Sequence, residues 1–288
     1  MLRKNSLFAG DRYLALALLL AYLPVHAYTP LNTDDAGTTA KGGYQIDQYF
    51  YTLLLVGQDS TDSGSVSSGE DYQGVGNARA FPFAFSGGLT DNIDLQFTPT
   101  YYLQPLGSFS RVANYTVNLK WRFMGDGETG LNLALRPQLI APSSIGQQEY
   151  GIGNAAWNYG LTFIASQFGE NYELHFNAGY LRAPYNGAHT VGLSEDASRT
   201  NLYSVSFAPV WNISPSWKIA LDGGINTNPN EPAPSMTRYG LVALMYSPTK
   251  DLSLGLSYQR NASTFEAAWG GSGAYVSRLQ VGVTYRFD

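Results

Sequence analysis

The chain has no cysteine in its 288 residues, which removes disulfides, thiolate metal sites and cysteine nucleophiles together. Charge is sparse, 14% of residues, and there are three histidines. After the apolar run Tyr13 to Leu23 no stretch is long enough to cross a bilayer as a helix, and mean hydropathy is slightly polar at −0.16. A helical membrane protein is therefore excluded. What the chain does have is 31 glycines and 21 tyrosines. A transmembrane barrel has this composition, because only alternate residues of its strands face lipid.

The N-terminus carries Arg3, Lys4 and Arg12, then YLALALLLAYL, then Val25-His26-Ala27, small residues placed for signal peptidase. This predicts a cleaved export signal over residues 1–27. The alternative, a membrane anchor, needs an apolar run of roughly 20 residues, longer than this one. Cleavage would take the formal net charge from −5 to −7, leaving an acidic chain with no basic patch for nucleic acid.

At the other end, Ser277 to Phe287 reads SRLQVGVTYRF, with Leu279, Val281, Val283, Tyr285 and Phe287 alternating with polar residues. Period 2 places one set on each face of a strand. Twelve such segments can be laid out, near 44–55, 77–89, 93–104, 112–124, 131–141, 154–168, 172–181, 201–213, 217–226, 238–247, 252–260 and 276–287. The first and tenth are apolar on both faces. Short turns rich in turn formers, such as Thr90-Asp91-Asn92, Gly169-Glu170-Asn171 and Ser214-Pro215-Ser216, alternate with longer polar connections, notably 56–76, 142–153 and 183–200. Segregated loops of this kind, and an even strand count, predict an all-β, antiparallel transmembrane barrel over 44–288 with both termini periplasmic. Trp121, Phe123, Phe168, Tyr172, Trp211, Trp217, Tyr246, Tyr285 and Phe287 lie near the short turns, as an interfacial girdle requires.

Two resemblances sharpen this. Gln280, Gly282, Tyr285 and Phe287 resemble the C-terminal assembly signal of bacterial outer-membrane barrels, which implies insertion by the barrel-assembly machinery. Thr33-Asp34-Asp35-Ala36-Gly37, the glycine spacer Gly42-Gly43, and Gly88 to Leu95 resemble a family of outer-membrane barrels named for a suspected role in the meta-pathway of phenol degradation. That resemblance spans essentially the whole mature chain. It implies an outer-membrane location, contact with lipid and lipopolysaccharide, and transport of aromatic or hydrophobic small molecules.

Chemistry is thin. By alternation the lumen should be lined by Asp94, Gln96, Asn118, Lys120, Arg122, Arg136, Gln138, Glu173, His175, Lys218, Asp222, Arg278 and Arg286. Lys120, Arg122 and Arg136 fall on one hairpin and would make a basic strip, whereas Asp94, Glu173 and Asp222 offer partners that would convert it into salt bridges. His175 has no evident serine partner and faces away from lipid, which argues against a lipid hydrolase; His189 sits in a loop. Asp34 and Asp35 in the segment 28–43 admit three readings: a cation site, an exposed lead-in with Asp35 starting a turn, or a plug or latch against basic pore residues. No cofactor or metal site is expected. The reading that follows is a passive channel for small solutes; a structural or ligand-binding barrel without transport is the alternative.

Overall fold

The computed structural model describes residues 30–56, 78–192, 197–229, 231, 235–273 and 275–287. The predicted signal and the acidic stretch with Asp59, Asp62, Glu70 and Asp71 lie outside the described residues. Among the described residues twelve antiparallel strands form one closed barrel: β1 (Tyr44–Val56), β2 (Ala78–Thr90), β3 (Ile93–Gln104), β4 (Val112–Met124), β5 (Gly130–Ile140), β6 (Asn158–Phe168), β7 (Tyr172–Arg182), β8 (Asn201–Ser214), β9 (Trp217–Thr227), β10 (Met236–Tyr246), β11 (Leu252–Ala262) and β12 (Tyr275–Phe287). Every strand pairs with its sequence neighbours, and β1 closes on β12 in continuous register from Tyr44↔Phe287 to Val56↔Tyr275. Closure leaves no unpaired edge, the condition for a sheet to sit in hydrocarbon.

The alternating side chains sort by face. On β3 and β4, Leu95, Phe97, Tyr115, Val117, Trp121 and Phe123 point outward and stay exposed, while Asp94, Asn118 and Arg122 point inward and are buried. On β12, Leu279, Val281 and Tyr285 are outside and Gln280 and Thr284 inside. An outer surface so continuously apolar needs lipid against it, so the fold is a transmembrane barrel of the outer-membrane type. Near the short turns, Trp217 stacks on Tyr246 at 4.4 Å and Tyr44 on Phe287 at 5.7 Å. Phe168 departs from the expected girdle. It shares the inward face of β6 with Ile164 and Ser166, is buried, and meets the His175 ring edge-on at 5.7 Å.

Two further differences from the sequence reading concern the long-loop rim. β6 begins at Asn158 rather than 154, because residues 141–157 fold into a bend holding the short helix α1 (Ile145–Glu149). Ser144 caps it in a capping box with Gln147, the Ser-x-x-Gln pattern. Ile152 of this bend is fully buried among Tyr51, Leu53, Tyr102 and Val276, so the connection packs into the mouth of the barrel. A second short helix, α2 (Phe265–Ala268), precedes Trp269, whose indole lies against Gly240; a Cβ there would stand 2.5 Å from its ring. β10 is apolar on both faces because its inner side is packed. Tyr239, Leu241, Ala243 and Met245 form a cluster with Val210 and Ala220, and Leu31 covers it.

Candidate functional site

The segment preceding β1 runs inside the barrel. It leaves β1 at the short-turn rim, where Gly42 N–H donates to Gly88 C=O and Gly88 N–H to Gly43 C=O, both at 3.0 Å. The approach is so close that a Cβ on Gly88 would stand 1.9 Å from Ala40 O, which is why glycine is needed there. Thr39 N–H then donates to Asp94 Oδ2 (2.9 Å) and Thr38 Oγ1 to Asp91 C=O (2.9 Å). Asp35 Oδ1 accepts from Gly37 N–H at 2.6 Å, an Asx turn that reverses the chain locally. Ala36 N–H donates to Ser166 Oγ (2.9 Å).

Asp34 sits between two cations. Its Oδ1 is 3.0 Å from Lys120 Nζ and its Oδ2 2.7 Å from Arg136 Nη1, and Lys120 Nζ also reaches Asp35 C=O at 3.0 Å. The Asn177 amide, oriented as its neighbours require, accepts from Asp34 N–H at 2.7 Å and donates to Asp34 C=O at 2.9 Å. Burial pushes the Asp34 carboxyl up, but the Lys120 and Arg136 charges together outweigh it and hold the group below the ordinary carboxylate range.

Further in, Asp222 is 1% exposed and carries four hydrogen bonds. Asn32 N–H (2.7 Å) and Thr33 N–H (2.9 Å) donate to Oδ2, and Thr33 Oγ1 and Tyr239 OH, each at 2.8 Å, donate to Oδ1. A buried carboxylate requires such compensation. Asn32 completes the crossing: its Nδ2 donates to Gln259 Oε1 (3.0 Å), and its Oδ1 accepts from Arg278 Nη2.

The predicted lumen residues therefore divide. Asp94, Lys120, Arg136, Asp222 and Arg278 hold the N-terminal segment. Gln96 and Asn118 form a ladder, Asn118 Nδ2 to Gln96 Oε1 (3.0 Å) and Gln96 Nε2 to Ser86 Oγ (3.2 Å). Arg122 does not join a basic strip: its Nη2 donates to Asp91 C=O and its Nη1 underlies Gly127. Gln138 lines the cavity. Lys218 pairs with Glu173 at 2.6 Å. Arg286 donates to Gln45 Oε1 (3.0 Å) and Ser253 Oγ (3.3 Å). Asp222 and Asp94, expected as salt-bridge partners for the bases, instead accept from backbone N–H groups of the segment.

His175 requires a correction. It does have a serine: Ser166 lies directly across from it on β6, with Oγ 2.9 Å from Nδ1, and Glu173 Oε2 is 3.4 Å from Nε2. The pairing escaped notice because the two residues meet across strands. Ser166 is fully buried and accepts from Ala36 N–H, and its Oγ and His175 Nδ1 share one hydrogen whose donor follows the imidazole tautomer. The array anchors the segment and gives no substrate access to a nucleophile. Among the described residues no three metal-ligating side chains converge.

Sequence reasoning missed Asp47, Asn32, Thr33, Ser166 and Tyr239. Asp47 is buried on the inner face of β1 and accepts from Gln45 Nε2 (2.9 Å) and Thr284 Oγ1. Its alternation with Ile46 and Gln48 was the available signal.

Beside the segment lies a cavity of ≈ 900 Å³. Its walls extend from Asp126 and Lys250 at the short-turn rim to Asn114, Gly153 and Tyr203 toward the long-loop rim. At that far rim Gln148, fully buried, ties two connections together: Nε2 donates to Asn186 C=O (3.0 Å) and Thr190 C=O (3.2 Å), and Oε1 accepts from Ala155 N–H (3.0 Å) and Asn186 N–H (2.9 Å). His189 pairs with Glu149 Oε1 at 2.9 Å on the rim.

With this geometry in hand, comparison with known proteins places the chain. Its fold is similar to that of the NanC porin, with a TM-score of 0.51, 13% identity, and coverage of 83% of this chain and 98% of that one. Weaker similarities are found to the KdgM porin in complex with disordered oligogalacturonate (TM-score 0.47, 10% identity, coverage 85% and 99%) and to the CymD monoaromatic hydrocarbon channel (0.42, 8%, 86% and 88%). No curated protein sequence matches the chain. A family profile described as "Putative MetA-pathway of phenol degradation" matches residues 31–279, from the buried N-terminal segment to the last strand. The chain belongs to that family of phenol-degradation-associated barrels.

Proposed function

We propose that the protein is an outer-membrane channel for passive uptake of small molecules, with its termini and short turns on the periplasmic side after removal of residues 1–27. The observation that carries this reading is the ≈ 900 Å³ cavity, lined by polar and apolar surface in equal share and reaching toward both rims of a closed barrel. A filled barrel of eight strands has no such space, whereas larger barrels hold a ligand or a passage. The family's link to phenol breakdown supports aromatic growth substrates as cargo. In this reading residues 30–43 act as a plug: their contacts with β3, β4, β5, β6, β7, β9, β11 and β12 narrow the passage without filling it.

The test is single-channel conductance of the refolded mature chain in a planar bilayer, with and without residues 28–43. Small, steady conductance that rises several-fold on deletion is expected. Silence in both proteins would remove the channel reading and favour a barrel that binds without transport. Loss of phenol uptake in a strain lacking the gene would tie the channel to its cargo class.

A further inference from the structure

The two cations that hold Asp34 belong to the barrel wall, one on β4 and one on β5, and both border the cavity. Their side chains keep partial access, 13% for Lys120 and 25% for Arg136. Each takes a separate oxygen of the same carboxylate, which is how a protein recognises a free carboxylate group. The fit is incomplete: Asp34 reaches Arg136 through Nη1 alone, and Arg136 Nε is buried with no hydrogen-bond partner among the described residues. An untethered carboxylate can approach the guanidinium side-on and take up that donor. The strands and turns around the cavity carry six basic and five acidic side chains, and the segment adds Asp34 and Asp35, so its presence reverses the sign of the lining.

We propose that Lys120 and Arg136 form a carboxylate-binding site for solute, and that Asp34 occupies it as a tethered stand-in. The solute class is a small organic monocarboxylate, of the kind an aromatic acid represents. Solute binding and seating of the segment then compete for one pair of cations, so a carboxylated solute loosens the plug while a neutral one does not. This deepens the channel reading and rests on it for cargo, but the site itself is a matter of equilibrium binding.

Benzoate, with phenol as the neutral probe, is titrated calorimetrically into the refolded mature protein in micelles. The partners are a variant lacking residues 28–43, and the same deletion carrying Lys120→Gln and Arg136→Gln. Removing the tethered carboxylate should tighten benzoate binding at least tenfold, leave phenol unchanged, and lose the gain when both cations are neutralised. No gain on deletion, or a gain that survives neutralisation, overturns the proposal. Because neutralising both cations could impair folding, Asp34→Asn is measured independently in a salt gradient: its reversal potential should move toward anion selectivity, and an unchanged potential counts against the site. Benzoate binding without conductance in any variant would overturn the channel and leave the site; conductance without the benzoate gain would do the reverse.

Discussion

The inner wall of the barrel has two unlike halves. On β3 to β5 it is charged and amide-rich, with Asp94, Gln96, Asn118, Lys120 and Arg136 facing the cavity. On β8 to β10 it carries an apolar cluster, Val210, Ala220, Leu241, Ala243 and Met245, covered by Leu31. Both are interior, yet one borders open space and the other is packed like a protein core. Facing inward therefore does not fix whether a wall is wet; what lies against it does. The N-terminal segment touches both, apolar at Leu31 and ionic at Asp34, and between them Asp222 is a single carboxylate embedded in the apolar half.

Removing that carboxylate should break the contrast most. Asp222→Leu leaves Asn32 N–H, Thr33 N–H and Tyr239 OH without their acceptor, a cost of about 3 kcal/mol and so roughly a 100-fold increase in segment opening. The chain has no cysteine, so a single Thr33→Cys reporter can be labelled with an impermeant thiol reagent against a silent background. Labelling should pass from slow to rapid when Asp222→Leu is added. Next in size is Leu241→Ala in the packed half, expected to lower barrel stability by about 2 kcal/mol, at the low end for a buried leucine because the segment can settle into the space. The midpoint of heat-induced loss of the compact gel form reads this directly.

Acid should act on the polar half. Since the Asp34 carboxyl is held below its ordinary value of 3.8, its contribution to seating the segment is complete above that value and is lost as pH falls through the lowered one. Reporter labelling should show a step below the ordinary carboxylate range, and Asp34→Asn should remove this step. The smallest effect is expected for Asn118→Ala, which cuts one rung of a ladder beside open, polar space; a change under about 1 kcal/mol in the same gel assay would mark that half as tolerant. A loss as large as that of Leu241→Ala would erase the distinction between the halves.

The strand count and outward faces were legible because lipid imposes an apolar residue at every second position, as Leu95/Phe97 and Tyr115/Val117 show. Inner faces were legible only where they are polar. β10 gave no facing signal, since the buried inner residues Tyr239 and Leu241 are as apolar as the exposed outer residues Val242 and Leu244. Phe168 lies next to a short turn, but strand parity sends it inward, and parity outranks nearness to the rim. The site escaped for a different reason. Thr33 and Asp222 are 189 residues apart and Asn32 and Arg278 are 246 apart, so no local pattern encodes the pairing. A latch against basic pore residues and a turn at Asp35 were both readable from the sequence; that Asp34 alone meets Lys120 and Arg136 follows from the geometry.

The seating of Asn32 against Gln259 and Arg278 has a consequence in time. Those partners belong to the last two strands, whereas the segment precedes the first. A growing or half-inserted sheet cannot offer the full set of contacts, so the seating of the segment is complete only once β11 and β12 are in place. The first residues of the described chain thereby report completion of the last, and a barrel arrested before closure would be distinguishable from a finished one by its loose leading end.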